Sequence, residues 1–380
     1  MANIARIPIN NVFADGDYTG RIFVGPNKQP MNVLLDTGSS ALALDAKKYQ
    51  PNPAGRDQTT NLAQTDSYGD NSSWTGAVIK TQISIGDPAN PVVLNDGNTA
   101  IAYTTSGDNM FGKSDGILGL AYAALDDAFT MPADTWANKY SEVDVRAGQQ
   151  GQIKPYLTQL VEEGVTSDKM AFLTHRSFPR VGRGDESDPL NQGLMIVGGG
   201  EESTDLYTGS FQTVKVLSND WYSTNLKSVM VGTQDPVVAR MNGPQGMPTN
   251  SIVDSGTNSL SLSTQFLKAI VSKFNTAQRA LLNKAVFDGD LVSASDLKLE
   301  DWPAITFVLQ GEAGDVSLKV APSDYWQIDA QQAGFAAAAI TKGQAGLAIL
   351  GLPLMNGYFT IFDGEADQGR GVIKFASKAV

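Results

Sequence analysis

Val33-Leu34-Leu35-Asp36-Thr37-Gly38-Ser39-Ser40-Ala41-Leu42-Ala43-Leu44 is an apolar run that enters a polar turn and leaves it as a second apolar run. That is the pattern of a buried strand, a tight loop and another strand. The pattern recurs without gaps as Ser251-Ile252-Val253-Asp254-Ser255-Gly256-Thr257-Asn258-Ser259-Leu260-Ser261-Leu262. Downstream of each copy comes the same tetrapeptide, Ile117-Leu118-Gly119-Leu120 and Ile349-Leu350-Gly351-Leu352. Two matched features in the same order argue for a duplicated chain of two related lobes. A boundary at Leu206, giving residues 1–206 and 207–380, places Asp36 and Asp254 at similar depths in their halves.

Around these loops the text is mainly β. Short segments rich in Val, Ile, Thr and aromatics, broken by Gly, Asn and Asp, fall at Gly20 to Val24, Met31 to Leu35, Ala77 to Ile85, Leu194 to Val197, Phe211 to Val216, Ile305 to Leu309 and Tyr358 to Phe362. Helical patterns are few: Ile153 to Glu163, Ser263 to Asn275 or beyond, and Thr276 to Val286. Without regular strand and helix alternation a doubly wound parallel sheet is not expected. Asp126 to Gln152 and Pro179 to Gln192 are polar and read as surface insertions.

Composition removes other chemistries. The 380 residues include no Cys and a single His, His175, with 38 Gly and a net charge of −12. There is no disulfide framework, thiolate metal site or thiol nucleophile, and a Ser-His-Asp mechanism would have to run through one imidazole. The acidic balance weighs against nucleic acid and anionic membranes as partners, and no apolar run is long enough for a spanning helix. The start, Met1 to Asn11, lacks a charged segment followed by an apolar run. With no Cys either, a cytoplasmic protein is expected if the chain is complete, with a secreted or periplasmic protein lacking its leader as the alternative.

An Asp at the end of a buried strand, followed by Thr or Ser, Gly, and Thr or Ser, is in one copy a polar turn capped by its own carboxylate. Two copies in a duplicated chain carry more. If the lobes face each other, Asp36 and Asp254 meet, and like charges at that range do not both ionise cheaply, so one proton is shared.

With these residues in view, the chain resembles the pepsin-like aspartic proteases nearly end to end, as a cysteine-free, bacterial-type relative. Asp36-Thr37-Gly38-Ser39-Ser40 and Asp254-Ser255-Gly256-Thr257 match the family's two catalytic loops. Asp115-Gly116-Ile117-Leu118-Gly119-Leu120, Ile349-Leu350-Gly351 and Tyr358-Phe359-Thr360-Ile361-Phe362-Asp363 are similar to the segments behind them. Tyr68-Gly69-Asp70, followed by Trp74-Thr75-Gly76, resembles the hairpin flap that closes over the cleft.

The resemblance implies a bilobal fold of two β-barrel-like lobes with a cleft between them, and an endopeptidase in which Asp36 and Asp254 hold a water. Thr37 and Ser255 would cross-link the loops, Ser39 and Thr257 would bond the outer carboxylate oxygens, and the amides of Gly38 and Gly256 would orient the pair. Tyr68, Gly69 and Asp70 would form the flap, with Phe111 and Ile117 as apolar pocket walls. A monomer acting on peptides or proteins is expected, at acidic pH, inhibited by pepstatin, with apolar side chains beside the cut and no metal or organic cofactor. At Ala43 the chain departs from the pattern, since many relatives carry there a Trp that bonds the flap Tyr. The sequon Asn71-Ser72-Ser73 lies on the same hairpin, where a glycan would obstruct the cleft.

Two further readings stand beside this one. A catalytically weak or inactive relative could use the fold as a binding protein or inhibitor, a reading that Ala43 favours. A P-loop nucleotide-binding protein is the other: Gly107-Asp108-Asn109-Met110-Phe111-Gly112-Lys113-Ser114 matches the phosphate-binding loop letter for letter, a reading that requires a helix to start at the Lys and Ser. His175 reads as a surface or satisfied structural residue, and the pairs Asp126-Asp127 and Asp185-Glu186 read as solvated.

Overall fold

A computed structural model describes residues 3–14, 16–107, 110–181, 186–240, 243 and 249–379. The strands expected from the sequence form, with longer bounds: Asp17–Val24, Gln29–Asp36, Ser73–Ile85, Gln192–Val197, Tyr207–Lys215, Ile305–Gln310 and Tyr358–Asp363. The three expected helices form as short ones, at Tyr156–Glu162, Thr264–Val271 and Thr276–Leu282. The second does not run on past Asn275, whose side chain accepts from Gln278 N–H and caps the start of the third.

In the first half, six strands close into a barrel. Asp17–Val24 pairs with Gln29–Asp36 on one side and with Ser73–Ile85 on the other, Ile22 facing Ile85. Val92–Ser106, Leu42–Asp45 and Gly116–Gly119 complete the ring. The second half is built from smaller sheets of five, four and three strands among the described residues. Between them runs an antiparallel layer that alternates buried and exposed positions, as in Ala5–Ala14. Its first three strands, Ala5–Ala14, Gln192–Val197 and Lys169–Leu173, meet the last three, Tyr358–Asp363, Val372–Lys378 and Tyr207–Lys215, where Met170 faces Phe362. The fold is mostly β and pepsin-like.

The internal repeat is also three-dimensional. Gln29–Asp36 runs parallel to Gly116–Gly119, and Ser251–Val253 parallel to Ala348–Leu350. The strand leaving each loop returns antiparallel to that same partner, pairing Leu42 with Leu118 and Leu260 with Leu350. Each loop is thus held between two strands of one sheet, and its depth is fixed by buried Leu, Ile and Val on both sides.

Asp126 to Gln152 is not a plain surface insertion. Asp127–Thr130 and Gln149–Gln152 add two strands to the outer edge of Gln58–Ser67, and Ala128, Phe129, Met131 and Val145 are buried there. Asp126, expected to be solvated, is 2% exposed because its carboxylate takes a proton donor from inside, the Gln64 amide at 2.7 Å. Asp185 lies outside the described residues, as do Asp108 and Asn109 of the phosphate-loop match. The rest of that match forms turns and runs into the Gly116–Gly119 strand, not a helix. Ser114 Oγ is spent on the carbonyls of Phe111 and Gly116. His175 is half-buried, with Nδ1 3.3 Å from Lys378 Nζ; burial and that ammonium hold its pKa down to about 4.

Candidate active site

Asp36 ends a strand whose Val33 and Leu35 are fully buried, and Asp254 follows Val253 in the same situation. The polar loop after each is the first place the chain can turn, and the two turns abut. Thr37 Oγ1 accepts from Ser255 N–H at 2.9 Å and donates to the Val253 carbonyl at 3.2 Å. Ser255 Oγ accepts from Thr37 N–H at 3.1 Å and donates to the Leu35 carbonyl at 2.8 Å. Four buried bonds thus join the loops reciprocally, each hydroxyl using one donor and one acceptor.

Above this lattice the carboxyl groups face each other. Gly38 N–H donates to Asp36 Oδ1 at 2.7 Å and Gly256 N–H to Asp254 Oδ1 at 2.8 Å. Ser39 Oγ donates to Asp36 Oδ2 at 2.5 Å, and Thr257 Oγ1 to Asp254 Oδ2 at 2.6 Å. A Cβ on Gly256 would lie 2.2 Å from Asp36 Oδ1, and one on Gly38 2.8 Å from Asp254 Oδ2. Only glycine lets the carboxyls approach this closely. Asp36 and Asp254 are 5% and 6% exposed. Burial, followed by the charge of the neighbouring Asp254, pushes the pKa of Asp36 well above the carboxylate range, with the donors Ser39 and Gly38 opposing.

The hairpin of Gln58–Ser67 and Ser73–Ile85 brings Tyr68 to the Asp36 side of the pair, near Ser39. Its turn is closed by Tyr68 N–H to the Ser72 carbonyl at 2.9 Å. Asp70 Oδ1 accepts from Ser72 N–H and Oγ at 2.8 and 2.6 Å, so its carboxylate shapes the turn. Gly69 sits at the exposed tip with open space around it, and Asn71 is exposed with φ 68°. Burial, then the carboxylates of Asp66 and Asp36, raise the Tyr68 pKa well above its ordinary value, against hydrogen bonds with Trp74 and Ser39.

Phe111 and Ile117 are 7% and 4% exposed and pack with Ala41, Ala43 and Trp74 behind Tyr68. They are closer to a backing for the Tyr68 ring than to an open wall. The departure at Ala43 has its answer in this cluster. Trp74 Nε1 donates to the Tyr68 hydroxyl at 3.0 Å, so the indole comes from the hairpin's second strand. In the sequence Trp74 is only a neighbour of the proposed flap; what signals its role is its place across the turn, with Asp66 facing Trp74 in the ladder. A second indole was missed altogether. Trp221 Nε1 donates to the Gly38 carbonyl at 2.8 Å, while Val253 N–H donates to the Tyr222 carbonyl at 3.1 Å. This pair of residues therefore reaches both loops, a relation that no local pattern carries.

Comparison with known proteins gives a consistent picture. The profile of the family described as eukaryotic aspartyl protease matches residues 17–147 and 185–377. Pepsin A of Sus scrofa is 24% identical over 378 residues, covering 95% of this chain and 82% of that protein. Pepsin A of Rhinolophus ferrumequinum is 25% identical over 96% of this chain and 83% of its own length. Vacuolar protease A of Arthroderma otae is 23% identical over 82% of this chain and 66% of its own. These relatives overturn the expected cytoplasmic location, since pepsin-family proteases are not cytoplasmic and one is named for the vacuole. A cysteine-free composition says how a fold is held together, not which compartment holds it. A profile match over most of the chain, at both loops and through the strands that carry them, places the chain in the eukaryotic aspartyl protease family.

Proposed function

We propose that the chain is an aspartic endopeptidase, with Asp36 and Asp254 as its catalytic residues. The observation that carries the reading is the pair of buried carboxyl groups, Asp36 against Gly256 of the facing loop and Asp254 against Gly38, next to a Tyr-bearing hairpin. With one proton between them, the ionised carboxylate takes a proton from a water as its oxygen attacks the peptide carbonyl carbon. The protonated carboxyl gives its proton to the carbonyl oxygen, forming a tetrahedral diol. Collapse of that diol breaks the C–N bond: the carboxyl that took the water's proton gives it to the leaving nitrogen, a diol hydroxyl gives its proton to the other carboxylate as the carbonyl re-forms, and the pair again holds one proton.

Ser39 and Thr257 fix the outer oxygens, so the inner ones face the reacting water. Thr37 and Ser255 set the spacing of the loops, and Tyr68 closes over an extended peptide whose apolar side chains flank the cut. Residues 1–206 would form the half bearing Asp36 and the hairpin, and 207–380 the half bearing Asp254. The central layer supports this division, with three strands from each. The feature that favoured a non-catalytic binding protein, Ala43, loses weight because Trp74 supplies the bond to Tyr68.

The test is cleavage of a denatured protein or an apolar-centred peptide from pH 3 to 7, with and without pepstatin, by wild type, Asp36→Asn and Asp254→Asn. Pepstatin-sensitive cleavage, highest in acid and lost in both variants, is expected. Equal cleavage by wild type and both variants rejects the assignment. A folded wild type inert over the whole range favours the binding-protein reading.

A further inference from the structure

The ties between the Asp126 to Gln152 segment and the Tyr68 hairpin fall on a defect in the hairpin. Gln58–Ser67 pairs with Ser73–Ile85 except where the register shifts between Thr59 and Ala63. A bulge of this kind leaves backbone groups outside the ladder, bends the strand and leaves those groups in need of other partners. The segment supplies partners at that point. Thr135 Oγ1 lies 3.1 Å from the Thr60 carbonyl and 2.8 Å from that of Leu62. Met131 N–H donates to the Asn61 carbonyl at 2.8 Å, and Asn61 Nδ2 to the Met131 carbonyl at 3.3 Å. Ala63, Phe129, Met131 and Val145 pack as a small core of their own. Nearer the tip, buried Gln64 donates from Nε2 to Asp126 Oδ1 at 2.7 Å and to the Asp127 carbonyl at 3.1 Å. Gln64 and Asp66 alternate onto one face of the strand that leads to Tyr68.

We propose that Asp126 to Gln152 is a brace for the Tyr68 hairpin, with Asp126 and Thr135 as its positioning residues. They act on the cleft through the Gln58–Ser67 strand, without touching substrate; the catalytic consequence rests on the endopeptidase reading above. The brace is also sensitive to pH. Asp126 faces the carboxyls of Asp66 and Asp127, and Asp66 faces Asp127, the Arg146 guanidinium and the Tyr68 hydroxyl. Burial leads in raising Asp126 to about 7 and Asp66 to about 6. Raised carboxyl pKa values favour the braced state at low pH, and that preference is lost as pH rises through them.

Hydrogen exchange of the full chain at pH 5 and pH 8, expressed as protection factors, tests this in Asp126→Ala, Asp126→Asn, Thr135→Val and Thr135→Ser. Val143→Ser, at an exposed position of the same segment, is the control. In Asp126→Ala and Thr135→Val, peptides from 58–76 should lose protection about five- to tenfold, the scale of one buried hydrogen bond. Asp126→Asn, which keeps an acceptor for Gln64, should retain protection and flatten the loss between pH 5 and 8, and Thr135→Ser should behave as wild type. KM for a peptide should rise in Asp126→Ala more than kcat falls. Unchanged protection of 58–76 in both Asp126→Ala and Thr135→Val overturns the brace. Lost protection in a chain that cleaves no peptide supports the brace and counts against the peptidase reading alone.

Discussion

Thr37 and Ser255, one in each half of the chain, each place a hydroxyl on the other's backbone N–H, at 2.9 and 3.1 Å. Both residues are essentially fully buried. Thr37→Val keeps the shape but strands Ser255 N–H and the Val253 carbonyl, groups that cost about 1–3 kcal/mol each when buried without partners. Thermal denaturation should show a loss of that order for Thr37→Val and near-wild-type behaviour for Thr37→Ser. Because the two hydroxyls serve the same junction, Thr37→Val with Ser255→Ala should lose less than the sum of the single losses. Additive losses would mean that the two loops are held independently.

Gly256→Ala tests how close the carboxyls must be. The new methyl would sit 2.2 Å from Asp36 Oδ1, so a carboxyl or a loop has to move. The loop is held by Thr37 and Ser255 below, which makes Asp36 the group that gives way. Peptide cleavage should drop by a hundredfold or more, as expected of a displacement of about 1 Å in a reacting group, while the chain remains folded by circular dichroism. Activity within about threefold of wild type would show that contact between the carboxyls is not required.

Stability should also depend on pH through Asp36. Its pKa is raised on folding, so the native state binds more protons than the unfolded chain between the ordinary carboxylate pKa and the raised one. The sign follows: the contribution of Asp36 is fully present below the ordinary value and is lost as pH rises through the raised one. Asp36→Asn removes a charge that folding must bury. The melting temperature of wild type should therefore fall relative to that of Asp36→Asn as pH is raised from about 4 to 8. Parallel curves for the two proteins would contradict the raised pKa.

How much of this was legible beforehand follows from range. The two loops, the repeated Ile-Leu-Gly-Leu segments downstream of them and the β class were readable because each is a local pattern, and the duplication printed the first two twice; that those segments pair parallel with the strands entering the loops was not. Asp126 was misjudged because an acidic pair in a polar stretch has the composition of a solvated turn. What buries it is Gln64, whose amide arrives from a strand far away in sequence. Trp221 was invisible for the same reason, since its partner is the Gly38 carbonyl of the other half. Ala43 was read as a missing part, although the replacement stood on the opposite strand. Side chains that meet across a hairpin or between halves are set by register and packing, which single-position comparison does not record.

Trp74 gives the most direct test of such a replacement. Ala43 is fully buried beside the Trp74 indole, so only one of the two positions has room for a large ring. Trp74→Phe keeps an aromatic ring but removes the N–H that holds the Tyr68 hydroxyl. A single bond of this kind is worth about 1 kcal/mol, so kcat/KM should fall about five- to tenfold while the melting temperature moves little. Trp74→Ala should be worse, because it adds a cavity behind Tyr68. Combining Trp74→Ala with Ala43→Trp moves the indole to the other wall of the same cluster. If its function is to hold the Tyr68 hydroxyl, the double variant should recover part of the kcat/KM lost in Trp74→Ala. Recovery of stability without recovery of kcat/KM would instead assign Trp74 to packing alone.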